Sequence, residues 1–213
     1  MTKEEFCQTD RIVLNYFVPF TNGKFISTCL MLSDDVYKMI SADKIVQRLA
    51  TPHSDWNKIE YSDVDFWWQD HSIDWFNSDN WFSNLSESAV EAIQQNKYIF
   101  YTCHEDYSVN YLKTIFTNAQ VLVVTPNFDL CKKNYLQKNW YKEEPVFEES
   151  RVFKEFNNFK PIPTHLTINQ LDIYNKNLFI EAITKLSIEL NITLNTNQVL
   201  AYRNLYLSNK FNQ

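Results

Sequence analysis

Three short apolar runs mark the first 124 residues of the chain: Ile12 to Val18 (IVLNYFV), Lys97 to Cys103 (KYIFYTC) and Ala119 to Val124 (AQVLVV). Each is rich in β-branched and aromatic residues and is bounded by polar or turn-forming positions, which predicts strands. The third is apolar at nearly every position, as expected of a parallel strand covered on both faces. Between the runs the period changes to that of a helix. Phe25, Thr28, Cys29 and Leu32 fall at i, i+3, i+4 and i+7. Ser33-Asp34-Asp35 is a break and a cap signal, and Val36 to Leu49 reads as a second helix ended by Thr51-Pro52. Ser86 to Gln95, Tyr107 to Phe116 and Phe128 to Trp140 read as further helices, the last entered through Pro126. Glu143 to Pro163 is a charged, Phe-rich connection in which Phe147, Val152, Phe153 and Phe156 suit a short strand or helix. Asn169 to Leu190 and Asn195 to Phe211 then read as amphipathic helices.

Strands separated by helices imply right-handed crossovers. The expected fold is therefore α/β: a doubly wound, mainly parallel sheet with flanking helices and a helical C-terminal part from about 165 to 213. A length of 213 residues suits a single domain. In such sheets ligands bind beyond the carboxyl ends of the strands. The segments that follow the three strands, Pro19 to Lys24, His104 to Asp106 and Thr125 to Asp129, should meet on one rim.

The first of these segments holds the single glycine of the chain, Gly23. At ordinary usage about fifteen glycines are expected in a chain of this length. Strand, short loop, Gly23-Lys24 and helix is the layout of a phosphate-binding loop: backbone N–H groups and the helix dipole face an anion, and a lysine adds full charge. The complete motif would place glycine at Val18 and Ser or Thr at Phe25. Without that hydroxyl a magnesium-dependent ATPase or GTPase is disfavoured. The alternative is a plain Asn22-Gly23 turn ahead of a helix.

Composition adjusts this picture. Apolar residues make up 45% and aromatic residues 16%, enough for a core and too much for a disordered chain. A net charge of −6 argues against nonspecific nucleic-acid binding. Cys7, Cys29, Cys103 and Cys131 lack C-x-x-C spacing and read as reduced thiols in a cytoplasmic protein. No apolar run approaches the roughly 20 residues a membrane span needs, and the acidic start MTKEEFCQTD is no secretory signal. Residues 53 to 82 carry five of the six tryptophans among Asp and Asn, with no sustained period. They read as a loop or insertion packed by its own aromatics. Its uses are a lid or wall against a ring-bearing acceptor such as a carbohydrate, a satellite aromatic cluster, or a contact between copies of the chain. His53 and His71 lack metal-ligand spacing, and no metal site is expected there.

Taken in order, the rim segments resemble the sulfotransferase family of P-loop folds. The loop Pro19-Phe20-Thr21-Asn22-Gly23-Lys24 stands where that family binds the 5′-phosphosulfate of 3′-phosphoadenosine-5′-phosphosulfate. YIFYTCHE ends in His104, where the family often has a general base. IFTNAQVLVVTPNFDLCKKNY, residues 115 to 135, is similar to its third segment, and the closing stretches LFIEAITKLSIELNI and VLAYRNLYL are of its type. The resemblance implies transfer of a sulfuryl group to a small-molecule or carbohydrate hydroxyl or amine, without a metal. Thr21, Asn22, Gly23 and Lys24 would hold the donor, and Lys24 would also serve the reaction. His104 would take the acceptor proton, with Glu105 or Asp106 orienting it or replacing it. Thr125, Lys132 and Lys133 would meet the 3′-phosphate. The family's arginine falls at Thr125 and its serine at Lys133, and its glycine-rich closing loop is absent; a lysine charge is not a bidentate guanidinium. Two other classes fit the same residues: an ATP-dependent kinase-like protein, and a non-catalytic interaction protein, a viral component for example, on a P-loop-like scaffold.

Overall fold

A computed structural model describes residues 1–37, 76–78, 80–85, 87–137 and 146–211. The expected α/β architecture is present. Four strands, β1 (Ile12–Phe17), β2 (Ile99–Cys103), β3 (Gln120–Thr125) and β4 (Leu166–Asn169), form an all-parallel sheet in the order β2-β1-β3-β4. Val13 lies opposite Phe100 and Gln120, Phe17 opposite Val124, and Thr125 opposite Asn169. A single parallel bridge from Val36 to Tyr98 extends the outer side of β2.

The three apolar runs become strands because both faces of the sheet are covered. Every residue of β1 and β2 is buried. On one face lie α2 (Gly23–Met31), α7 (Lys176–Glu189) and α8 (Thr196–Phe211). There Phe25 stacks on Tyr206 and Tyr202, with ring centroids 4.4 and 5.3 Å away, over Val13, Phe17, Leu122 and Val124. On the other face lie α1 (Lys3–Cys7), α3 (Glu87–Gln94) and α4 (Asp106–Ile115). Their core centres on Phe116, which meets Phe6, Phe76, Trp81 and Tyr101 edge-on or stacked. Trp81 is the one tryptophan of the Trp-rich segment among the described residues, and it belongs to this core. Residues 53–75 of that segment, and 38–49 of the helix expected after Asp35, lie outside the described residues.

A third cluster caps the carboxyl rim. Cys131 and Tyr135 on α5 (Phe128–Gln137) pack on Phe147, in a 3₁₀ turn at Phe147–Glu149, and on Val152 of α6 (Arg151–Asn157). Phe20, Phe153 and Phe156 fill in around them. The short helix expected among these phenylalanines is present, and the alternative of a strand is not.

The C-terminal part departs from the helical reading at its start. β4 forms there because Leu166 and Ile168 point into the sheet while Thr167 and Asn169 face outward, and β3 offers an open edge. The helix expected from Asn169 is divided. Gln170–Tyr174 is a 3₁₀ turn, and Asn175 caps a fresh helix by accepting from the backbone of Asn177 and Leu178. No helix among the described residues is long and apolar enough to cross a membrane.

Tyr101 and Tyr202 are fully buried and Tyr206 is partly buried, and burial pushes all three phenols up. An unfolded phenol titrates near 10, so above about pH 10 the unfolded chain releases protons that the folded chain retains. Stability contributed by these residues is whole below pH 10 and falls as pH rises beyond it. Urea midpoints measured from pH 8 to 11 should be level at first and then decline; a midpoint still level at pH 11 would contradict this.

Candidate functional site

The strand order reverses between β1 and β3, so the crevice of this sheet opens at their carboxyl ends. Two of the three expected rim segments, those after β1 and β3, flank that point directly. The third, after β2, adjoins β1 from the other side.

The loop after β1 has an unusual backbone. Phe20 and Asn22 both have left-handed φ, 67° and 66°, whereas Thr21 and Gly23 do not. The sign of φ thus alternates from Phe20 to Gly23, the kind of alternation found in backbone nests that hold anions. For a bulky residue such as Phe20 the left-handed region is strained, and residues held there cost of order 1–3 kcal/mol each. Thr21 closes the turn twice on the Val18 carbonyl, through its N–H at 3.2 Å and its hydroxyl at 2.5 Å. Asn22 precedes α2, and its carbonyl accepts the Ile26 N–H.

Gly23 is the first residue of that helix, in ordinary helical territory. It is required by space: a Cβ there would lie 2.0 Å from the Phe17 ring. Asn15, wholly buried in the middle of β1, ties the helix down by donating to the Gly23 carbonyl (3.2 Å) and the Ser27 hydroxyl. Lys24 follows on the first turn and is exposed.

Other elements hold the loop from behind. The Phe20 carbonyl accepts from the side-chain amides of Asn134 on α5 (2.7 Å) and Gln170 (3.1 Å). Gln170 is itself oriented by the Asn127 N–H, in the segment after β3. The Asn22 amide donates to the Tyr174 hydroxyl (3.0 Å) and accepts from that of Tyr206 (2.9 Å). Burial pushes both phenols up, so both stay protonated at neutral pH. Phe20 also meets Tyr135 edge-on at 5.5 Å.

His104 follows β2. Its Nδ1 lies 3.0 Å from the carbonyl of Phe17, the last residue of β1, and its ring meets the Phe17 ring edge-on at 4.8 Å. A carbonyl only accepts, so the neutral imidazole carries its proton on Nδ1 and its lone pair on Nε2. The Phe17 carbonyl is thus an orienting partner that the sequence reading did not name. Asp106 lies 3.5 Å from the Lys160 ammonium. Thr125 ends β3 on the same rim.

Lys132 pairs with Glu148, which holds that carboxyl below its usual range. Lys133 is exposed on α5, beside Asn134. The fold thus brings Thr21, Asn22, Gly23 and Lys24, His104 and Thr125 to one rim, with Lys132 and Lys133 on the helix packed against the loop. The residues that fix the loop, Asn134, Gln170, Tyr174 and Tyr206, were not singled out from the sequence. Comparison with models of protein families, with curated proteins and with solved structures found no match for this chain.

Proposed function

We propose that the chain binds a phosphate- and sulfate-bearing nucleotide at the loop from Val18 to Lys24 and transfers a sulfuryl group, as a sulfotransferase-like enzyme. The observation that carries the reading is the loop's alternating backbone with two strained non-glycine residues, Phe20 and Asn22. Such strain persists where surrounding structure over-determines it and clusters at functional sites. A helix N-terminus, a lysine and a histidine with a fixed tautomer accompany it at the same rim.

In this reading the donor is 3′-phosphoadenosine-5′-phosphosulfate. The N–H groups of Gly23 and Lys24, with the Lys24 ammonium, meet the phosphosulfate, and Thr21 and Asn22 shape the loop. Thr125, Lys132 and Lys133 are the candidates for the 3′-phosphate, Lys132 only by giving up Glu148. The acceptor oxygen or nitrogen forms a bond to sulfur as the bond to the bridging phosphate oxygen breaks. His104 Nε2 takes the acceptor proton, and adenosine 3′,5′-bisphosphate leaves. Positioning and electrostatic stabilisation supply most of such catalysis. The acceptor is a small molecule or carbohydrate, and a cytoplasmic setting accords with the reduced thiols. The Lys132–Glu148 pair favours a second reading, a non-catalytic protein on the same scaffold.

Calorimetric titration with adenosine 3′,5′-bisphosphate, with ATP–magnesium in parallel, separates these readings. Micromolar binding of the bisphosphate, weakened about 10- to 100-fold in Lys24→Ala, is the expected result, since a charge-assisted hydrogen bond contributes about 1.5–3 kcal/mol. Binding of ATP–magnesium alone would redirect the reading to a kinase-like protein, and binding of neither would leave the non-catalytic one.

A further inference from the structure

Four hydrogen bonds behind the loop share one direction. The Tyr206 hydroxyl on α8 donates to Asn22 Oδ1 at 2.9 Å. Asn22 Nδ2 donates to the Tyr174 hydroxyl at 3.0 Å. That hydroxyl donates to Asn134 Oδ1 at 3.4 Å, and Asn134 Nδ2 donates to the Phe20 carbonyl at 2.7 Å. Each group uses a donor where the next offers an acceptor, so the chain fixes which way both amides face. It begins on the C-terminal helix, passes through one left-handed residue of the loop and ends on the other.

The two tyrosines are seated firmly. Tyr206 stacks on Phe25 in the first turns of α2. Tyr174 ends the 3₁₀ turn whose preceding carbonyl, Ile173, accepts from the buried Arg203 guanidinium at 2.7 Å. Arg203 and Tyr206 lie one turn apart on α8, so one helix reaches the loop by two routes.

We propose that Tyr206 and Tyr174 are positioning residues that set the left-handed backbone of Asn22 and Phe20, making the C-terminal helix and the anion-binding loop one cooperative unit. The inference rests on the anion-binding reading of that loop. Neither tyrosine is assigned contact with the nucleotide; each acts through Asn22 or Asn134. Hydroxyls that fix a backbone in its binding conformation lower the ordering cost of binding, and occupancy of the loop should in turn steady α8.

The test uses the full chain as Tyr206→Phe, Asn22→Gly and the double variant, with Tyr202→Phe as control. Tyr202 is buried on the same helix, and its hydroxyl is not part of the chain of four. Adenosine 3′,5′-bisphosphate is the calorimetric probe, at a temperature where circular dichroism finds all variants folded. Tyr206→Phe should weaken binding about fivefold or more, and Tyr202→Phe less than about twofold. Glycine takes the left-handed backbone without help, so Asn22→Gly and Asn22→Gly/Tyr206→Phe should bind alike, within about twofold. A merely structural tyrosine would cost the same in both backgrounds, and that result would overturn the proposal, as would wild-type affinity in Tyr206→Phe.

Amide hydrogen exchange at residues 20–24 gives a readout that needs no ligand. If the wild-type chain binds no bisphosphate, the anion-binding reading fails by itself. Exchange then decides the positioning role: about tenfold faster exchange in Tyr206→Phe supports it, and unchanged exchange overturns it.

Discussion

Gly23→Ala should cost the protein roughly 3 kcal/mol of stability, toward the top of the range for overpacking a buried site. The added methyl would lie 2.0 to 2.5 Å from three carbons of the Phe17 ring. That ring is confined. It is buried between strand and helix in the core that holds Phe25, Ile26 and Val124, and its outer side meets His104. Helix propensity works the other way, since alanine in a helix is favoured over glycine by up to about 1 kcal/mol. A net loss therefore identifies the contact as the cause. Urea denaturation measures it, and Phe17→Leu in the Gly23→Ala background should restore part of the midpoint. Gly23→Ala as stable as the wild type would show that the ring moves freely, and the account of the single glycine would fail.

If the chain transfers sulfuryl groups as proposed, His104→Asn should abolish most of that activity, by about 10²- to 10⁴-fold in kcat, the range that a positioned general base contributes. Asparagine is the informative replacement. Its amide can still donate to the Phe17 carbonyl, as Nδ1 does at 3.0 Å, yet it has no basic nitrogen at neutral pH. Folding and bisphosphate affinity should therefore stay within about twofold of wild type, because the asparagine amide keeps the contact with the Phe17 carbonyl. The measurement is turnover with the sulfuryl donor against a panel of hydroxyl and amine acceptors. Unchanged turnover in His104→Asn would remove the histidine from the chemistry. A collapse of bisphosphate binding would mean that it serves the loop rather than the acceptor.

β1, β2 and β3 were legible because helices cover both faces of each, so the signal is a continuous apolar run. β4 was not. Its four residues alternate, it follows Pro161 and Pro163, and it pairs only because β3 presents an edge, a fact of tertiary structure. The five-residue α1 was also passed over, although Thr2 and Glu5 form a capping box whose spacing is visible in the sequence. The rim was legible through the topology rule, which places whole segments without distances. What fixes the loop was not: Phe20 and Asn22 depend on Asn134, Gln170, Tyr174 and Tyr206, more than 100 residues downstream. No local pattern connects positions so far apart. The role of Gly23 was half legible. Its place between β1 and the helical pattern was read, but it is the first residue of α2, its reason lies in the Phe17 ring, and the left-handed turn falls on Asn22.

The order of the strands also bears on how the chain is made. β1 is synthesised first, yet Ile12 pairs with Ile99 and Val13 with Gln120. Ribosomes add about 5–20 residues per second, so a largely apolar strand waits several seconds or longer before either neighbour exists. During that interval the nascent chain displays both bare edges of β1, the kind of surface that holdase chaperones bind and that misassembles between neighbouring polysomes. A parallel sheet whose inner strand comes before its neighbours thus places its greatest hazard in the interval before they are translated.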